Sequence, residues 1–157
     1  MIKRLKCLLI VALLFLGSTF AFAEILIHGL EDFNLGRWVV GAGSISADST
    51  LCVAISPQGP YQITVYGQGP GNAFVLSDAG VNVPIRIFYS DRQTADRADE
   101  LQPGRTLGGL RARRGNGVRR PCSRPNASIT VLIAESDLVQ LPAGHYQGNI
   151  VMIVGPE

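Results

Sequence analysis

Apolar and polar residues alternate with a period of two along most of the chain, and a helical period is nearly absent. Leu51, Val53 and Ile55 alternate with Thr50, Cys52, Ala54 and Ser56, and Pro57-Gln58-Gly59-Pro60 then turns the chain. Ile63 and Val65 alternate with Gln62, Thr64 and Tyr66 up to the glycine-rich break Gly67-Gln68-Gly69-Pro70-Gly71. A short run, Asn72 to Leu76, ends in the turn Ser77-Asp78-Ala79-Gly80. Val83, Ile85, Ile87 and Tyr89 share one face of the next strand, and Pro84 makes it start there or lie at an edge, because proline cannot donate to a ladder. Asp91 to Asn126 is read as a long irregular stretch with room for a short strand near Thr106 to Leu110. Order returns with Ala127, Ile129, Val131 and Ile133 on one face, and a last strand is predicted from about His145 to Val154. Its end, Ile150, Val151, Met152, Ile153 and Val154, is apolar on both faces, as in a strand buried on both sides or lying beside a docking groove. Short strands spaced by turns, without βαβ alternation or an internal repeat, predict an all-β, antiparallel sandwich of about seven strands.

The first 23 of the 157 residues stand apart. Lys3, Arg4 and Lys6 precede the apolar run Cys7 to Leu16, and Ala21-Phe22-Ala23 offers small residues at both positions a signal peptidase reads. The run is shorter than the roughly 20 residues that span a bilayer, so residues 1–23 read as a signal peptide cleaved before Glu24, with no membrane span after its removal. The leader also distorts the charge. Of 14 basic residues it holds three, which leaves 11, all Arg, against 12 acidic residues, a net of −1. No overall attraction to nucleic acid follows from that balance.

An exported chain with two remaining cysteines, Cys52 and Cys122, suggests one disulfide, with two buried free thiols as the alternative. The bridge would close a loop of about 70 residues and contribute roughly 4 kcal/mol. Cys52 faces away from Leu51, Val53 and Ile55, so the bridge would fasten the long loop to the outside or rim of the sandwich. In that loop, Arg105, Arg111, Arg113, Arg114, Arg119, Arg120 and Arg124 fall within 20 residues that contain no acid. Guanidinium forks suit phosphate or acidic glycan, so Arg111, Arg113, Arg114, Arg119 and Arg120 are candidate polyanion contacts. The plainer reading is a solvated loop partly neutralised by Asp91, Asp96, Asp99 and Glu100 just before it. Aromatic platforms for nucleic-acid bases are missing between Tyr89 and Tyr146. His28 and His145 stand alone, without Cys or His at ligand spacing, so no metal or other cofactor is expected. There is no G-x-S-x-G elbow, the carboxylates Asp96, Asp99 and Glu100 lie on a loop, and an enzyme is not expected. Asn126-Ala127-Ser128 matches a glycosylation sequon, a weak and commonplace match.

Several segments, taken in order, resemble the spore coat protein U domain family, which also describes subunits of archaic, Csu-type chaperone–usher pili. Phe33-Asn34-Leu35-Gly36 is similar to the family's F-x-F-G opening. Leu51-Cys52-Val53 followed by Pro60-Tyr61-Gln62-Ile63-Thr64-Val65 resembles its Cys-bearing strand and the Y-x-I-x-L strand after it. Val83 to Asp91 is similar to its V-P-Y-x-L-Y-x-D segment, and Leu141 to Ile150 to its P-A-G-x-Y-x-D-x-V segment. The resemblance implies an immunoglobulin-like sandwich over residues 33–157 that lacks its last strand. It also implies an acceptor edge at Ile150 to Val154, filled first by a periplasmic chaperone and then by another subunit at an outer-membrane usher.

The expected function is therefore an exported structural subunit of a surface pilus or fimbria in adhesion or biofilm formation, passing through the periplasm to the cell surface. The alternative is a stand-alone secreted module that binds acidic glycans through the Arg loop. Residues 24–32 have two readings as well. Ile25, Ile27 and Gly29 could belong to a donor strand for a neighbour's groove, or Ile25 to Leu30 could be the first strand of the chain's own sandwich.

Overall fold

A computed structural model describes residues 23–112 and 124–157. Among them are ten strands: β1 (Glu24–His28), β2 (Ile45–Ser56), β3 (Pro60–Gly67), β4 (Val75–Asp78), β5 (Val81–Pro84), β6 (Arg86–Ser90), β7 (Asp99–Glu100), β8 (Thr106–Arg111), β9 (Ala127–Ile133) and β10 (Ile150–Pro156). One short helix, α1 (Glu135–Leu138), follows β9. The strands form an antiparallel sandwich of a five-stranded sheet, in the order β1-β2-β9-β6-β7, and a three-stranded sheet, β10-β3-β8, with β4-β5 as a small separate ladder. Alternation decides what enters the core. Leu51, Val53, Ile55, Ile87, Tyr89, Ile129 and Val131 come from one sheet, and Tyr61, Ile63, Val65 and Leu110 from the other. Cys52 and Ala54 face away from that cluster yet are buried too, Cys52 at 3% exposure, so the outside of β2 is covered there rather than left as an open rim.

The elements depart from the sequence reading at definite places. The predicted strand at Val83 to Ser90 is two strands, because Pro84 ends the ladder with β4 and Ile85 turns its N–H to the Phe74 carbonyl before β6 joins β9. The last strand starts at Ile150, not His145. Gln147 is tied to Ser77 by two backbone hydrogen bonds, and Gly148 lies so close to the Val75 carbonyl that a side chain there would overlap it. β2 begins six residues before Leu51, at Ile45, where Ile45, Ala47 and Ser49 alternate too weakly to read as a strand. The irregular stretch holds β7 as well as the anticipated strand near Thr106, now β8.

Two side-chain links hold the strands together, one between the sheets and one within the five-stranded sheet. Tyr61 of β3 and Tyr89 of β6 share a buried hydroxyl–hydroxyl hydrogen bond of 2.8 Å across the sandwich. Burial pushes the Tyr61 phenol up to about 12, against the pull of its bond to Tyr89. Burial, and then Tyr61, push Tyr89 further in the same direction. Both pKa values are raised over those of the unfolded chain, so the contribution of the neutral pair is complete below about pH 10 and is lost as pH climbs toward 12. In an ultraviolet titration, two of the four tyrosines should stay un-ionised through about pH 10 to 11 and titrate together with unfolding. The second link is Asn126, whose amide oxygen accepts from Val53 N–H and whose amide nitrogen donates to Val53 C=O, both at 2.8 Å. Its side chain continues the β9 ladder one step past Leu51↔Ala127, as a strand backbone would. The same burial, 3% exposed, removes the residue that heads the sequon from contact with solvent.

Candidate functional site: the open edge beside β10

β10 is the outer strand of its sheet, and no strand pairs with its far side among the described residues. β1 is the outer strand of the facing sheet, and the two approach within 8 Å between Cα atoms. Two edges, each without a strand partner on its outer side among the described residues, thus lie on the same side of the sandwich, and the space beside β10 is termed the gap. Ile150, Met152 and Val154, with Ile25 of β1, lie half-buried along it against the core. Val151 and Ile153 point outward and are 59% and 54% exposed. The five apolar residues are therefore not buried on both faces: one row lines the gap and the other stands in solvent.

The polar row of the gap follows from the register. Glu157 N–H donates to Pro60 C=O, which continues the pairing in which Gly155 meets Gln62, Ile153 meets Thr64 and Val151 meets Tyr66. Hydrogen-bonded pairs alternate with non-bonded ones in an antiparallel ladder. The backbone groups of Val151, Ile153 and Gly155 are thus spent on β3. Those of Ile150, Met152 and Val154 face the gap. The bond from Gly104 N–H to Val65 C=O, on the other side of β3, fits the same parity. An extended segment laid in the gap would find three N–H and three C=O groups in alternation, above a floor of half-buried apolar side chains. Pro156 closes the row with a carbonyl only.

The other candidates are scattered. Ile25, Ile27 and Gly29 lie on or next to β1, which pairs with β2 over its full length, Glu24↔Ser56 to His28↔Cys52. Arg111 ends β8, exposed, and its backbone N–H donates to the Asp91 carboxylate. Glu100, assigned above to neutralise the Arg cluster, instead takes a bidentate bond from Arg86 at 2.6–2.7 Å. Cys122, Arg113, Arg114, Arg119 and Arg120 lie outside the described residues, as does the leader up to Phe22. Among the described residues no group of three His, Cys, Asp or Glu side chains gathers as a metal site would. No helix among them is long and apolar enough to cross a membrane. The links made by Asn126, Glu157 and the Tyr61–Tyr89 pair are what pattern reading missed. Each acts through a side chain reaching a distant strand, and periodicity carries no trace of that.

No family model matches the chain, and no curated protein does. Solved structures do. A chain from a chaperone–tip adhesin complex of CFA/I fimbriae is similar at 16% identity with a TM-score of 0.60, over 85% of this chain and 42% of that one. A chain from the CsuC–CsuE chaperone–tip adhesion subunit pre-assembly complex of the archaic Csu pili of Acinetobacter baumannii is similar at 15% identity with a TM-score of 0.44, over 85% and 40%. This chain spans about two-fifths of the length of each. The fold is an antiparallel β-sandwich like that in the CFA/I complex.

Proposed function

We propose that the chain is an exported structural subunit of a surface pilus or fimbria, assembled by a chaperone–usher route in which an extended strand from another protein fills the edge of β10. The observation that carries this is the edge of β10, which has no strand partner among the described residues and runs above half-buried core residues. An edge of this kind is an aggregation hazard in a protein meant to work alone, and a binding site in one meant to accept a strand. The likeness of the fold to a chain from a chaperone–tip adhesin complex supports the same reading. In this reading a periplasmic chaperone covers the edge first, an outer-membrane usher exchanges it for another subunit, and the product serves adhesion or biofilm formation at the cell surface. The pairing of Glu24–His28 with β2 supports its reading as a strand of the chain's own sandwich over a donor for a neighbour's groove.

The test is a synthetic extended peptide of about nine residues with apolar side chains at alternate positions, added to the purified chain. At a hundredfold excess over its Kd it should stabilise the fold by about 2.7 kcal/mol, read as a rise in Tm. A scrambled peptide of the same composition should not. Equal effects of the two peptides, or none from either, would remove the basis of the proposal.

A further inference from the structure

β10 is an unusual strand to keep in register. Register is normally fixed by alternation, because a slip of one residue turns the apolar set out into water. Ile150 to Val154 is apolar at every position, so a slipped β10 would still turn Val151 and Ile153 toward the core, and alternation opposes the slip only weakly. Yet the open edge depends on register. One step would swap the backbone groups that face the gap and replace Ile150, Met152 and Val154 by Val151 and Ile153. Something besides alternation must help to choose.

The end of the strand offers the choice. Glu157 reaches across β3 to β8, where its carboxylate Oε1 accepts from Gly109 N–H at 2.5 Å, while its own N–H binds Pro60 C=O. β8 is shaped to receive it. The β3–β8 pairing jumps between Tyr61↔Leu110 and Ile63↔Leu107, and Gly108 and Gly109 form the resulting bulge. Gly109 has φ +73, a left-handed conformation that glycine adopts without strain. Gly108 leaves room that a methyl group would take from the Glu157 carboxylate. A charged acceptor on a backbone N–H is among the stronger and more directional hydrogen bonds. It exists in one register only, since a shift of β10 by one residue moves Glu157 by about 3.3 Å. At the other end, Gln68 holds Asn149 N–H and the Gln147 carbonyl through neutral bonds of 3.3–3.4 Å, and the Ser77–Gln147 bridge leaves two residues before the strand begins.

We propose that Glu157 is the positioning residue of the β10 edge, a clamp that selects the register in which Ile150, Met152 and Val154 face the gap. The inference takes from the proposed function only the importance of that edge, and its test needs no partner. Amide hydrogen exchange of the whole chain reads the parity directly. In the native sequence the amides of Val151, Ile153 and Gly155 should exchange at least about tenfold more slowly than those of Ile150, Met152 and Val154. Glu157→Ala and Gly108→Ala should each bring that ratio close to one, with β2 and β9 still protected. Glu157→Gln, which keeps an acceptor oxygen, should retain most of it. Unchanged parity in Glu157→Ala would overturn the proposal and assign the register to the Gln147 bridge. Loss of protection in every strand would overturn it as well, by showing that Glu157 serves the whole fold. Since no peptide or partner is present, these outcomes are independent of whether the edge accepts a strand in assembly.

Discussion

Proline at Met152 and proline at Ile153, one residue apart on the same strand, should have opposite effects. Met152 N–H faces the gap, so Met152→Pro leaves every β10–β3 hydrogen bond in place, and proline is tolerated on an edge whose N–H is not needed. The sandwich should keep most of its stability. Strand acceptance should fail, because the central donor of the open row is gone and the ring occupies the space an incoming backbone must enter. Peptide affinity should drop at least about tenfold, or 1.4 kcal/mol. Met152→Ala removes the same side chain but keeps the N–H, so it separates the loss of a hydrogen bond from the loss of a floor residue. Ile153 N–H points to β3 opposite Thr64. Ile153→Pro should therefore damage the fold itself: stranding the Thr64 carbonyl costs about 1–3 kcal/mol, or a drop in Tm of roughly 5–10 °C for a chain of this size. Equal damage from the two prolines would show that the parity drawn from the Glu157–Pro60 bond is wrong.

The largest expected effect on stability lies far from that edge, at Asn126. Replacing it with alanine leaves both backbone groups of Val53 unpaired in the interior, since Val53 is fully buried. Each such group costs about 1–3 kcal/mol, so Asn126→Ala should lose roughly 2–5 kcal/mol in denaturant unfolding. Asn126→Asp is the sharper probe. Its carboxylate can still accept from Val53 N–H but sets a negative oxygen against Val53 C=O, so burial and that carbonyl raise its pKa in the folded state. A raised pKa means that stability is present at low pH and lost as pH rises through it. Asn126→Asp should thus approach the parent chain's stability near pH 4 and fall away from it by pH 7. A pH-independent deficit would mean that the side chain is not a paired donor and acceptor.

These residues mark where sequence reading ends. Leu51, Val53, Ile55, Ile63, Val65, Ile87, Tyr89, Ile129 and Val131 were legible as core positions because period-two burial is a local property. The sandwich follows from strands and turns alone. Pairing is not local: nothing near Asp99 and Glu100 announces that they close a ladder with Phe88 and Tyr89. The short helix at Glu135–Leu138 is too brief to develop a helical period, and it contributes one core residue, Leu138. The apolar stretch Ile150 to Val154 was visible in the sequence. It did not reveal that the residues there divide by parity, which needs the register against β3.

The ladder at the centre of the five-stranded sheet has a kinetic consequence. Ile45 meets Ile133 and Leu51 meets Ala127, separations of 88 and 76 residues along the chain. Loops of that length must close before β2 and β9 are rewarded for it, which puts such topologies among the slow folders, in the millisecond-to-second range. A chain made from its N-terminus exposes Leu51, Val53 and Ile55 for as long as β9 has not arrived. β10, which completes the smaller sheet, comes later than β9. The most apolar stretch of β2 is therefore in greatest need of a protective escort early, well before the final edge becomes the concern.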